Sequence, residues 1–492
     1  MNELPEGSHG SLRGGYAPRS PLRQGRFGRL FPQLDPCPCD HDQLVALAEG
    51  MHEAPQPPPP PDGPYGRQTG DDGTPLADNP AIPAGYTYLG QFLDHDTTFD
   101  PTSHLQRLAD PEALVDFRTP RLDLDSVYGS GPADQPYLYD NDSLRFVVES
   151  INDSEFDLPR SSAGRALIGD PRNDVNLIVA QLHLLFCQAH NRLVEAMLAA
   201  GVAPDDVFDA ARRELTWTYQ RIVLDDYLPT IVGTSVVDDI YRRAGTTYKA
   251  GAGAPSDITL PEISRQFFHW RYDPFMPVEF SGAVFRYGHS QIRPEYKLNN
   301  TLGPKPLFDG TVENSLLGHR RRPEGWSVDW ALFFVVNGST PQLSRRINTD
   351  VVDPMLNLPA AIASDPPSIA LRNLLRGCTY QLPCGQDVAR AMGLTPLAAD
   401  AIASTGATAP LTEKTPLWYY VLAEAELSEQ GQHLGQLGGR ILTEVITGLI
   451  DGDANSFLNI DPNWKPNHIL IADPNRVTMA DLITFTRQGA AQ

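Results

Sequence analysis

Apolar residues recur at helical spacing along most of the chain beyond residue 80. Between Asp174 and Ala200, Leu177, Ile178, Leu182, Leu185, Phe186 and Leu193 share one broad face, which predicts a long helix. Asp205 to Asp226 predicts a second. Ile369 to Arg376, Thr415 to Glu429 and Gly439 to Ile450 predict further ones. Strand-like alternation is scarce, and neither a strand–helix–strand unit, a Gly-rich phosphate loop nor an internal repeat is visible. The expected fold class is mainly α-helical, with little β structure.

Residues 1–80 break this pattern. Pro55, the run Pro57 to Pro61 and the turn-rich Gly70-Asp-Asp-Gly73 leave little sustained periodicity. The expected division is a Pro/Gly-rich N-terminal arm over 1–80 and a single large catalytic domain over 81–492.

With 41% hydrophobic and 20% charged residues, the 492-residue chain reads as globular. A net charge of -22 argues against nucleic acid as a partner and is accounted for by solubility. No run of about eighteen apolar residues is present, so no transmembrane segment is expected. The polar first fifteen residues lack the apolar core of a secretory signal. A cytoplasmic location is expected, or export without a cleavable signal peptide. The cysteines number five, an odd count, and are not expected to form a disulfide framework. Cys187 reads as a small core residue. Cys37-Pro-Cys39-Asp-His41 could hold a metal, yet no second half with ligand spacing follows it.

Candidate chemistry is densest in Tyr88-Leu-Gly-Gln-Phe-Leu-Asp-His-Asp-Thr-Thr98, where Gln91, Asp94, His95 and Asp96 crowd an otherwise apolar helix. Buried ionisable groups are costly unless paired, ligated or used. Gln91 and His95, four apart, share a face. Asp94 and Asp96 diverge from His95 by roughly 100° in opposite senses. One carboxylate can border the space His95 faces while the other meets a separate partner. That geometry suits a histidine above a flat cofactor, with a metal behind the helix.

Three more stretches stand out. In Arg118-Thr-Pro-Arg-Leu-Asp-Leu-Asp-Ser-Val-Tyr-Gly-Ser130, an extended loop would point Thr119, Arg121, Asp123 and Asp125 to one side. Carboxylates, a hydroxyl and a carbonyl are the hard oxygen ligands Ca²⁺ takes, although such a loop alone is more often an acidic turn. Gly169-Asp-Pro-Arg172 stands at the entrance of the long helix, where a lone arginine is usually a surface or capping residue. In Phe280-Ser-Gly-Ala-Val-Phe-Arg-Tyr-Gly-His289-Ser-Gln-Ile292, a histidine ends an apolar helical segment. A histidine so placed is more often a satisfied core residue than a ligand, but its small neighbours would let a planar group approach.

In this order, Gly-Gln-Phe-Leu-Asp-His-Asp (90–96), Leu-Asp-Leu-Asp-Ser-Val-Tyr-Gly-Ser (122–130), Gly-Asp-Pro-Arg (169–172), His-Asn-Arg-Leu (190–193) and Phe-Arg-Tyr-Gly-His-Ser (285–290) resemble the animal-type haem peroxidases. This is the peroxidase–cyclooxygenase superfamily, in a bacterial-like form, and the resemblance runs from about Tyr86 to Pro466. It implies one large helical domain holding haem b between helices. By the resemblance His95 is the distal histidine, Arg172 the distal arginine and Gln91 the contact to distal water or halide. His289 is implied as the proximal iron ligand, with Arg286 near a haem propionate. The implied calcium ligands are Asp96, Thr119, Arg121 through its carbonyl, Asp123 and Asp125.

The implied function is a peroxidase that reduces hydrogen peroxide and oxidises halide, pseudohalide or small aromatic donors through an oxoferryl intermediate. A fatty-acid dioxygenase of the same superfamily and a non-catalytic haem- and calcium-binding protein are the alternatives. Vertebrate members tie haem by an Asp and a Glu ester. Asp94 matches the first, but Val175 stands at the Glu position and Asn176 follows it, so at most one ester is expected. The tyrosine whose radical serves the dioxygenases is matched to Phe268 in Phe268-His-Trp270, with Tyr272 out of position, and this favours peroxidase. Asn373 in Asn373-Leu-Leu-Arg-Gly377 is preferred over Asn357 as the support of the proximal histidine.

Overall fold

The computed structural model describes residues 25–53, 77–99, 115–243, 247–248, 258–271, 273–308, 312–360, 362–363, 365–473 and 475–487. The Pro57–Pro61 run and Tyr272 lie outside them.

The predicted helices form, with shifted ends. α1 (His41–Gly50) precedes α2 (Gly85–Thr97), the helix of Gln91 and His95. α3 (Leu177–Ala199) begins three residues later than the pattern suggests, because Asn176 caps it by accepting from the Ile178 and Val179 amides. α4 (Pro204–Ile222) runs into a π-helical turn, Val223–Tyr227. α5 (Ile369–Thr379), α6 (Leu417–Glu429) and α7 (Gln436–Asp451) complete the predicted set, and α8 (Met479–Arg487) packs on α3. The segment leading to His289 is a short helix, Val278–Gly282, and then a 3₁₀ stretch, Val284–His289.

α2 is the buried axis of the fold. Tyr88, Leu89, Phe92 and Leu93 are all enclosed, and Phe92 stacks on Phe186 of α3 with ring centroids 4.7 Å apart. Such all-round burial locks the helix direction, and with it the directions of Gln91, Asp94, His95 and Asp96. Gly85 is required at its start, since a Cβ there would meet the Phe333 carbonyl at 2.5 Å.

β structure is short. β1 (Gly25–Gly28) is the middle strand of a small sheet, antiparallel to β2 (Val115–Asp116) and parallel to β3 (Met276–Pro277). The N-terminal segment is therefore less separate than its composition suggests. Residues 25–53 are woven into the body: β1 lies between strands, and α1 packs on α5.

The cysteine expectation is corrected. Cys37 pairs with Cys384, and Cys39 with Cys378, so four of the five cysteines staple this segment to α5 and the turn after it. Only Cys187 is free, and it is buried as predicted. The odd count misled because the fifth is simply a core residue. These bonds also leave Cys37 and Cys39 no thiolate to offer a metal.

Candidate active site

The long-range consequence of this packing is one cavity of about 330 Å³. α2 lines it with Gln91, Asp94 and His95; the turn before α3 adds Arg172, Val175 and Asn176; the 3₁₀ stretch adds Arg286 and His289. Sequence positions nearly 200 residues apart thus face a common space.

Each histidine is held by an asparagine. His95 Nδ1 lies 2.8 Å from Asn173 Oδ1. His289 Nδ1 lies 2.8 Å from Nδ2 of Asn373 on α5. Asn357 bonds instead to the Asp353 carbonyl from an exposed position. Burial, and then the Arg172 charge, push His95 down to about 4. Burial followed by the Arg286 charge brings His289 to about 3. Both rings are therefore neutral near pH 7, each with one nitrogen free of hydrogen. For His289 Nε2 to offer a lone pair to a metal, Nδ1 must carry the hydrogen, which requires the Asn373 amide to turn over and present its oxygen in place of Nδ2.

Arg172 is tightly aimed. Its Nε lies 3.2 Å from Asp170 Oδ1, and its Nη2 donates to Asp170 and to the carbonyls of His95 and Thr98. Phe99 lies under the guanidinium at 4.4 Å. Gln91 Oε1 accepts from Asn176 Nδ2 at 3.1 Å. Asp94 accepts from the Thr98 hydroxyl at 3.0 Å. Arg286 donates to the Ser281 carbonyl at 2.9 Å, and burial lowers its pKa.

On the other side of α2, carboxylate oxygens of Asp96, Asp123 and Asp125 come within 4.8 Å of one another. The loop is a tight turn rather than the expected extended one, with Leu124 in the left-handed region at φ 58°. The turn brings the carboxylates inward. Thr119 donates to Asp123 at 3.0 Å, and the Arg121 side chain points away toward Asp453. Burial, then Asp125, raises both Asp96 and Asp123, the latter to about 7. Crowded, buried acids with raised pKa values mark a place where a cation would be stabilising.

Phe268 lies elsewhere. It is enclosed against Trp270, Phe275 and Gly448, with its amide on Glu444, and does not line the cavity. The tyrosine comparison made at that position therefore says nothing about the cavity. Tyr88, Tyr227 and Tyr287 do line it, and the Tyr227 and Tyr287 hydroxyls are 2.7 Å apart. Sequence reasoning missed these, along with Asn173, His183, Arg118 and Asp170. Tyr88, Arg118, Asp170 and Tyr287 stand inside the motifs quoted from the sequence and Asn173 directly follows one, whereas Tyr227 and His183 had no local signal.

A model of the animal haem peroxidase family matches residues 100–397. The chain belongs to that family. Among curated relatives, a peroxidase of Drosophila melanogaster is 28% identical over 256 residues, covering 46% of this chain and 35% of the relative. Human thyroid peroxidase is 28% identical over 210 residues, covering 38% of this chain and 20% of the relative. The match thus spans about a third or less of those relatives. In solved structures, Dictyostelium discoideum peroxidase A shares the haem peroxidase fold with a TM-score of 0.65 at 15% identity, over 96% of this chain and 94% of that one. An Oryza sativa fatty acid alpha-dioxygenase also shares the fold, with a TM-score of 0.54 at 14% identity, over 84% of this chain and 74% of that one.

Proposed function

We propose that this protein is a haem-dependent peroxidase that reduces hydrogen peroxide and oxidises a small donor, halide, pseudohalide or phenol-like. The observation that carries the reading is the pair of neutral imidazoles, buried His95 and half-buried His289, facing one cavity from separate elements. Phe285, Ile292, Leu307 and Met355 offer apolar walls for a flat macrocycle, and Arg172 and Arg286 offer positive charge for its carboxylates. A Cβ built on Gly288 would meet open space, so there is room beside His289.

His289 would hold haem b, assisted by Asn373, with Arg286 near a propionate, and Asp94, which lines the cavity, would be the single point for an ester. Haem, when bound, would supply the redox centre for the two oxidising equivalents of peroxide. His95 takes a proton from one peroxide oxygen through its bare Nε2 and returns it to the other, so that water departs. Such acid–base transfer contributes about 10² to 10⁴ in rate. Arg172 opposes the negative charge that develops as the O–O bond breaks, worth about 3–4 kcal/mol by analogy with oxyanion donors. Gln91, fixed by Asn176, orients peroxide or a halide.

Asp96, Asp123 and Asp125 would bind calcium with the Thr119 hydroxyl and the Arg121 carbonyl, an all-oxygen set. Residues 81–492 would form the catalytic domain, strapped by 25–53. The two disulfides favour maturation in an oxidising compartment over the cytoplasm. No helix among the described residues is long and apolar enough to cross a membrane.

One observation favours a second reading, a fatty-acid dioxygenase: the hydrogen-bonded Tyr227 and Tyr287 place phenols at the cavity. Oxygen uptake with linoleate and haem-loaded protein separates the two. The peroxidase reading is tested by haem titration and stopped-flow mixing with peroxide. A Soret band should form with wild type and be lost or weakened in His289→Ala, and His95→Ala should slow the peroxide reaction by several orders of magnitude. Failure of wild type to bind haem would sink the reading, and wild-type rates in His95→Ala would remove that residue from it.

A further inference from the structure

Asn173 stands between two histidines. Its Oδ1 faces His95 Nδ1 at 2.8 Å, and its Nδ2 faces His183 Nδ1 at 3.0 Å. Asn173 and His183 are fully enclosed, at 0% and 1% exposure. His183 projects from α3 toward α2, its ring edge-on to Phe92. A leucine would fit the apolar pattern of α3 at this point, and burying a polar ring there is costly unless its hydrogen bonds are used.

A primary amide accepts at one end and donates at the other. With Oδ1 toward His95, the Nδ1 of that neutral ring must carry the hydrogen, and Nε2 keeps a bare lone pair. With the amide turned over, His95 Nδ1 must accept, and the hydrogen moves to Nε2. That second setting removes the base from the cavity. Which setting holds is decided at the far end of the amide, by whether His183 Nδ1 accepts or donates.

We propose that His183 is a positioning residue: by accepting from Asn173 Nδ2 it holds the amide oxygen toward His95 and so fixes the tautomer with a bare Nε2. The inference rests on the reading of His95 as the base. It goes beyond that reading by assigning the choice of tautomer to a residue outside the cavity.

The test is two-bond ¹H–¹⁵N spectroscopy of haem-free protein labelled with ¹⁵N-histidine, with His95→Gln and His183→Gln used for assignment. Wild type should show His95 protonated at Nδ1 and His183 at Nε2. His183→Leu, which fills the space without an acceptor, should move hydrogen on His95 toward Nε2. His183→Gln, which restores an acceptor, should keep it on Nδ1. In haem-loaded protein, hydrogen cyanide gives up a proton as it binds, so its association rate reports the base. By comparison with other outer-shell partners, that rate should fall about 10- to 100-fold in His183→Leu, stay within about threefold in His183→Gln, and leave dissociation nearly unchanged. The Soret band and melting temperature verify loading and folding.

Hydrogen on Nε2 of wild-type His95 overturns the proposal without any variant. So does a His183→Leu protein with an unchanged tautomer and cyanide association. Because the spectra need no haem, failure to bind haem would sink the proposed function while leaving the His183 assignment to stand on its own result.

Discussion

The Arg118 guanidinium and the Asp170 carboxylate meet with neither exposed to water, Nε to Oδ2 at 2.9 Å. Arg118 also donates to Asp125 at 3.2 Å, and Asp170 also receives Arg172. One buried ladder of charges thus runs from the acidic cluster to the cavity. Burial alone would raise the Asp170 carboxyl, but Arg118 and Arg172 outweigh it and hold it well below the usual carboxylate range.

Arg118→Met would leave Asp170 with one cation instead of two and Asp125 short of a partner. Breaking a buried pair this way costs about 3–5 kcal/mol. Denaturant unfolding should show that loss, together with slower reaction with peroxide as Arg172 loosens. Arg118→Lys restores the charge without the fork and should recover only part of each. A variant as stable as wild type would show that the ladder carries no weight.

Calcium removal should make stability depend on pH in a defined direction. Burial and Asp125 lift Asp123 to about 7, above the ordinary aspartate value of about 3.9. The metal-free folded state therefore holds protons that the unfolded chain releases. Its stability should be greatest below about pH 4 as far as this group is concerned, and should be lost as pH rises toward about 7. Melting temperatures in chelator at pH 5 and pH 8 measure this. Added calcium should raise the pH 8 value more than the pH 5 value, and equal effects would argue against the cluster as the site.

Asn373→Leu should weaken haem retention or peroxide reactivity by about 10- to 100-fold, the usual cost of removing a partner behind a metal-binding histidine. Asn357→Ala should do neither, because Asn357 is occupied by the Asp353 carbonyl. Haem transfer to an acceptor protein, followed at the Soret band, distinguishes the two variants.

The chain purified without reductant should weigh four hydrogens less than its reduced form, matching two disulfides. Cys39→Ser with Cys378→Ser should cost about 2–5 kcal/mol in unfolding experiments. α5 carries both Cys378 and Asn373, so haem retention should fall as well. Full mass in the unreduced protein would refute the pairing.

The helices were legible because the 3.6-residue repeat is written in neighbouring positions. α3 and α5 through α7 could be placed from their apolar faces alone, with ends displaced wherever a cap such as Asn176 overrode the pattern. The divergence of Asp94 and Asp96 was legible for the same reason: helical geometry turns sequence spacing into direction, and the two do reach different sites. Phe268 shows where such reasoning stops. A short motif placed it beside the cofactor, whereas packing against Gly448 puts it in the core.

What the chain by itself determined was the helical class, the polar cluster on α2 and the kinds of side chain available for chemistry. Only the tertiary structure decided that Cys37 meets Cys384, that Asn173 lies between His95 and His183, and that Arg118 reaches Asp170. The reason is physical. Faces of a helix are set by backbone geometry over a few residues, while contacts across tens to hundreds of residues are set by how whole elements pack, and that leaves no mark at the positions that finally touch.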